Sequence, residues 1–66
     1  MKILLNGEER EIPGDSNVCA LLELAGFAER RVAIEVNRDI VPRSLHGEHR
    51  LVDGDQVEIV HAIGGG

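Results

Sequence analysis

The first twelve residues alternate apolar and polar positions around an Asn-Gly pair. Ile3 and Leu5 share one face if residues 1–6 are extended, and a weaker alternating run over residues 8–12 ends at Pro-Gly-Asp. Asn6-Gly7 separates the two runs. Because both central positions of a type I′ turn need positive φ, this pair is typical of a two-residue hairpin. The chain therefore predicts a β-hairpin at its start.

The next apolar positions repeat with helical spacing. Within residues 18–25, one apolar stripe is formed by Val18, Leu21, Leu22 and Ala25. Ser16 or Asn17 can cap the first free N–H groups of such a helix, and Gly26 follows where a left-handed residue ends it. A helix this short is marginal alone, so we expect its stripe to pack on a sheet.

Alternation with the period of a strand returns in the second half. The strongest run is residues 31–37, where Val32, Ile34 and Val36 alternate with Ala33 and Glu35. The last strand is predicted over residues 56–61, with Val57 and Ile59 pointing inward. Between them we expect a turn at 37–39, brief strands at 40–41 and 51–52, an irregular polar segment at 44–50, and a turn at 53–55.

The order of these elements predicts the fold class. A hairpin, a helix and then further strands make an α+β fold, in which one main helix packs on one face of a mixed sheet. With 66 residues, the chain has room for a single domain. We expect that domain to span residues 1–66 and to carry a flexible glycine tail from about residue 62 onward.

Composition and charge exclude several classes of function. The formal charge is -5, and one Phe without Tyr or Trp offers nucleic acid neither a basic footprint nor a stacking surface. No apolar run is long enough to span a membrane, and a single Cys fits a reducing cytoplasm. So short a chain has little room for both a core and an enclosed substrate pocket, so a non-enzymatic role is favoured.

The side chains that could carry chemistry each have a plainer explanation. Cys19 lies near the helix start, where a thiol can be reactive, but a small apolar side chain is the more frequent role. His46 and His49 lack the further ligands of a zinc site, so we expect solvated side chains and no metal. Asp53 and Asp55 flank Gly54 and are better explained as turn formers than as an acid–base pair.

The remaining feature is the run Gly64-Gly65-Gly66 after the last strand. Residues without a Cβ can lie extended in a slot too narrow for any other side chain. A terminal carboxylate presented on such an arm could attack the α-phosphate of ATP in a partner enzyme and form an acyl-adenylate. A frayed, meaningless tail is the alternative.

Several segments together resemble the ThiS sulfur-carrier family, which serves thiazole formation in thiamine biosynthesis. The resemblance is carried by Met1-Lys2-Ile3, Asn6-Gly7-Glu8, Val32–Asn37, Ile40–Arg43, Asp53–Val60 and Ile63–Gly66. Their order and spacing cover nearly the whole chain. One position departs from the pattern, since His46 stands near where many relatives have Trp, which leaves the packing of residues 44–50 in question.

This resemblance implies a ubiquitin-like β-grasp fold and a carrier that enzymes act upon. Gly66 would be adenylated and converted to a thiocarboxylate, with Gly64 and Gly65 as the arm that enters the partner's active site. The implied partners are a ThiF-like adenylating enzyme, thiazole synthase and a cysteine desulfurase-type sulfur source. ATP and magnesium would be used by the adenylating partner, with no cofactor bound by this chain.

The strand pattern also predicts a partner surface. If Ile3, Leu5, Val57 and Ile59 face the helix, then Leu4 and Val60 point outward, beside Ala33 and the tail residues Ala62 and Ile63. Apolar groups on an open sheet face can form a partner interface, although isolated surface apolar residues are common.

Three other functions fit the same sequence. A carrier for molybdopterin or another sulfur-containing product would use the same chemistry at Gly66. A ubiquitin-like modifier would join Gly66 to a target lysine through the same adenylate. A plain interaction module would leave the tail inert.

Overall fold

The computed structural model describes residues 1–28 and 30–61, and for His61 the backbone alone. The strands are β1 (Lys2–Leu5), β2 (Glu8–Glu11), β3 (Val32–Val36), β4 (Asp39–Ile40) and β5 (Gln56–His61). One α-helix, α1 (Val18–Ala25), and a 3-10 turn at Arg43–Leu45 complete the elements. No helix among the described residues is long and apolar enough to cross a membrane.

The strands form a mixed sheet in the order β2-β1-β5-β3-β4. β1 and β5 run parallel, with Leu5 opposite Val57, whereas the other pairs are antiparallel. The first and last strands of the chain are therefore neighbours at the centre. A parallel pair needs a crossover, and the chain between β1 and β5 includes the helix that covers one face. The predicted α+β class with one main helix on a mixed sheet is confirmed.

Two predicted turns are confirmed by their backbone angles. Asn6 and Gly7 have φ of 50° and 85°, so both central residues of the first hairpin are left-handed. Asn37 and Arg38 have φ of 51° and 73° between β3 and β4. β4 consequently begins at Asp39, one residue earlier than the sequence predicts.

The helix has the caps that its sequence predicts. Of the two candidate residues, Asn17 is the N-cap, and its side-chain oxygen accepts a hydrogen bond of 2.8 Å from the Ala20 N–H. Ser16 is buried and donates instead to the Pro13 carbonyl. Gly26 ends the helix with φ of 85°, a conformation that glycine adopts without the steric cost of a Cβ.

The core lies between the helix and the inner face of the sheet. Its buried side chains are Ile3, Leu5, Ile12, Val18, Leu21, Leu22, Ile34, Val36, Val41, Leu51, Val57 and Ile59. The alternation in β1, β3 and β5 places the apolar set of each strand on this face, as predicted.

The brief strand expected at residues 51–52 does not form. The Leu51 N–H donates to the Ser16 carbonyl, and Arg50 forms an isolated bridge with Asn17 at the helix start. Leu51 is nevertheless buried, because its side chain enters the core from an irregular segment. Val52 is 60% exposed, so the Leu51-Val52 pair indicated the burial of one side chain and no sheet pairing.

Candidate functional site

The tail of the chain is carried by the central strand of the sheet. β5 pairs with β1 on one side and with β3 on the other. Its last residue, His61, pairs with Val32. β5 is hydrogen-bonded on both edges over part of its length, and the residues that follow it are therefore attached to an interior strand of the sheet.

The predicted tail roles fall beyond this strand. Gly66 as the site of adenylation, Gly64 and Gly65 as the arm, and Ala62 and Ile63 as interface residues all lie outside the described residues. These assignments stay predictions, as does the flexible tail itself.

The other two predicted interface residues lie on the open face of the sheet, which is the face without the helix. Val60 is 50% exposed and pairs with Ala33, which is also exposed. Leu4 is half-buried and pairs with Gln56. Val60 lies four residues beyond Gln56 in β5. The side chains of Leu4 and Val60 are therefore separated by about 13 Å along the strand direction. The structure thus places Val60 beside Ala33 and leaves Leu4 apart.

Most of the other side chains on the open face are acidic, although Lys2, Gln56 and the exposed Ile40 lie there too. Glu35 and Glu58 are directly opposite each other on β3 and β5. Glu9 is opposite Leu4, and Glu11 is opposite Lys2 at the hairpin edge. The alternation of a strand assigns all of these residues to the side away from the core. The apolar pair Val60–Ala33 therefore borders an acidic surface.

The start of β5 is held by a network of polar side chains. Asp55 is buried and accepts hydrogen bonds from Asn37 Nδ2 at 3.0 Å and from the Val52 N–H at 2.9 Å. Asn37 Oδ1 in turn accepts from the Gln56 N–H. Asp53, the other carboxylate of the turn, accepts from the Lys2 N–H at 2.7 Å. The interpretation of both aspartates as turn formers is supported, because their oxygens are used by backbone and amide donors.

A groove near the tail end of β5 brings together residues that no sequence motif connected. It has a volume of about 490 Å³ and is lined by α1, the 28–33 segment and the 3-10 turn. Three of its lining side chains are Arg30, Arg31 and Arg43, and we call it the arginine groove. Sequence reasoning missed this site because Arg43 is remote along the chain from the other two. Only the packing of the 3-10 turn beside β3 makes them neighbours.

Cys19 and His46 also line the arginine groove. Cys19 is exposed, so it is not a member of the core. His46 was expected to be solvated, and this is wrong, since it is only 7% exposed. Its Nε2 lies 3.0 Å from the Val41 carbonyl oxygen and donates to it, because a carbonyl can only accept. His46 thus packs the 44–50 segment against the core.

No group of three His, Cys, Asp or Glu side chains in the part of the chain that the structure describes is arranged to hold a metal ion.

Comparison with known proteins identifies what this arrangement is similar to. The sequence model described as the ThiS family matches residues 3–66. The sulfur carrier protein ThiS of Escherichia coli (strain K12) is 33% identical over the full length of both chains. The crystal structure of the thiamine biosynthesis protein ThiS from Geobacter metallireducens superposes with a TM-score of 0.87 at 29% identity and covers all of both chains. That match confirms the expected ubiquitin-like β-grasp fold.

A second kind of relative is much longer than this chain. The thiazole synthase of Paramagnetospirillum magneticum (strain ATCC 700264 / AMB-1) is 47% identical over all 66 residues, which make up 20% of that protein. The chain thus spans about a fifth of the length of this relative.

Proposed function

The chain belongs to the ThiS family, and from this premise we propose that it is a sulfur carrier for thiazole formation in thiamine biosynthesis. The observation that carries the proposal is the full-length match to a named sulfur carrier, together with the shared fold. The chain is a substrate of its partner enzymes and performs no catalysis of its own. Its expected site of action is the cytoplasm.

The proposed chemistry takes place at the Gly66 carboxylate. One carboxylate oxygen attacks the α-phosphate of ATP, pyrophosphate leaves, and an acyl-adenylate forms. Hydrosulfide then attacks the acyl carbon and displaces AMP, which gives the thiocarboxylate and releases a proton. ATP and magnesium are bound by a ThiF-like adenylating enzyme and not by this chain. A cysteine desulfurase-type source supplies the sulfur in the cell.

The length and composition of the segment after β5 support this use. Five residues follow His61, and fully extended they span at most about 18 Å. The partner's reacting groups must therefore come within that distance of the end of β5. Since the last three residues are glycines, the slot that admits them can be too narrow for a Cβ.

Thiazole synthase is the proposed acceptor of the sulfur. The support is that a protein named thiazole synthase contains a segment 47% identical to this chain. This observation favours thiazole over molybdopterin as the product.

The proposed partner surface comprises Leu4, Val60, Ala62 and Ile63. Val60 carries most of the argument, because it is half-exposed and lies one residue before the end of β5. We expect Val60→Asp to weaken binding of the adenylating enzyme more than Leu4→Asp does, since Leu4 lies farther from the tail. Equal effects would show that the open face is contacted as a whole.

Intact mass spectrometry tests the central step. The chain is incubated with ATP, magnesium, a purified ThiF-like enzyme and sulfide, and we expect a mass gain equal to the replacement of one oxygen by sulfur at Gly66. The matched control is the variant Gly65→Ala with Gly66→Ala, which keeps the carboxylate but adds two Cβ atoms. We expect this variant to remain uncharged. An unmodified wild-type chain would contradict the carrier function, and a charged variant would contradict the narrow-slot argument.

A further inference from the structure

The arginine groove concentrates positive charge in a chain that is negative overall. The chain has 7 basic and 12 acidic residues, and three of the basic ones line this groove. Among the lining residues that the structure describes, Glu23 is the acidic one. The open face of the sheet has the opposite character, with Glu9, Glu35 and Glu58 exposed or half-buried there. The groove and the open face therefore differ in the sign of most of their charged side chains.

The guanidinium groups of the three arginines make no polar contact with other described residues. Arg10 is the arginine whose guanidinium donates a hydrogen bond there, to the Leu24 carbonyl. Arg30, Arg31 and Arg43 are exposed, and within the described residues their guanidinium groups form no hydrogen bond or ion pair. Each keeps its full set of donors in a planar fork that suits carboxylates.

The groove lies beside the end of β5, where the tail begins. Val32 lines it and pairs with His61, the residue at which β5 ends. Arg31 directly precedes Val32. A protein that receives the tail must approach this end of β5, so its surface meets the groove.

We propose that the arginine groove docks an acidic patch on the adenylating enzyme that receives the tail. This inference rests on the proposed carrier function and names the surface by which the partner is recognised. A protein surface fits better than a nucleotide, because the single Phe of the chain is not among the described lining residues and the His46 ring that lines the groove is buried, which leaves a base little surface to stack on. Complementary charges of this kind raise the association rate and orient the encounter.

A pair of charge reversals tests the groove. Arg31→Glu with Arg43→Glu reverses the groove, and Arg38→Glu with Arg50→Glu changes net charge equally at exposed positions that are not among its lining residues. In low salt we expect the groove variant to raise the Kd for the ThiF-like enzyme about tenfold or more, and the control to raise it less than about twofold. The excess should shrink at high salt, because mobile ions screen exposed charges. Arg31→Lys with Arg43→Lys should restore most of the affinity.

Sulfur loading measured in the same samples separates this inference from the carrier function. At saturating enzyme, the groove variant should be loaded with sulfur at the wild-type rate, because the groove binds the partner and does not take part in chemistry. If the wild-type chain is loaded with sulfur but both charge-reversed variants bind the enzyme equally weakly, net charge alone determines the affinity and the groove proposal is wrong. If the wild-type chain is never charged, the carrier function itself fails. If inorganic pyrophosphate competes for the groove at low millimolar concentration, the groove is a small-anion site and the protein-docking proposal is overturned.

Discussion

The polar side chains near the two ends of β5 differ in whether they form hydrogen bonds within the fold. At the start of the strand, the Asn37 side chain donates to Asp55, and the side-chain oxygens of both residues accept hydrogen bonds from backbone N–H groups. At its end, Arg30 and Arg31 stand exposed without such partners in the described part of the chain. The polar groups near the start of β5 form hydrogen bonds within the protein, whereas those near its end remain available to another molecule. One strand thus joins a structural end to a functional end.

The largest effect is expected at Asp55. Asp55→Ala removes the buried carboxylate that accepts from the Val52 N–H and the Asn37 side-chain amide, so two part-buried hydrogen bonds are lost. Because two hydrogen bonds to a charged acceptor are lost, the free energy of unfolding should fall by about 3 kcal/mol. Chemical denaturation measures it. Asp53→Ala is the control, since Asp53 is exposed and should cost about 1 kcal/mol. Equal costs at the two positions would contradict the buried network.

A smaller effect at Asn6 would show how the hairpin turn is tied to the middle of β5. Asn6 has φ of 50°, and its Oδ1 accepts a hydrogen bond of 2.8 Å from the Ile59 N–H. Asn6→Gly removes the bond but tolerates the angle, so we expect a loss of about 1 kcal/mol. Asn6→Ala also strains the backbone and should lose about 2 kcal/mol. Thermal melting of the two variants separates the contributions, and identical melting temperatures would mean that the left-handed angle costs Ala nothing.

The smallest effect on stability is expected at the functional end. Arg31→Gln and Arg43→Gln remove charge from exposed side chains that bond to nothing in the described structure. Their free energies of unfolding should therefore stay within about 0.5 kcal/mol of the wild-type value. A larger loss would show that the guanidinium groups stabilise the fold, and the contrast between the two ends of β5 would disappear.

Local signals in the sequence were sufficient for most of the elements. The Asn6-Gly7 turn, the helix stripe and the alternation in β3 and β5 were predicted correctly, because each depends on residues close together in the chain. Leu51 was misjudged as part of a strand and His46 as solvated. Both lie in the irregular segment before β5, where burial is decided by contacts with distant elements and leaves no periodic pattern.

The chain itself determined the strand faces, the caps, the glycine tail and the family, since all of these are properties of neighbouring residues and their order. Only the tertiary structure decided which side chains became neighbours across the fold. The sheet register places Leu4 of β1 beside Gln56, at the other end of β5 from Val60. The packing of the 3-10 turn places Arg43 in one groove with Arg30 and Arg31. The physical reason is that sheet register and the packing of an irregular turn are set by the whole core. No local pattern encodes a distance between segments that meet only after folding.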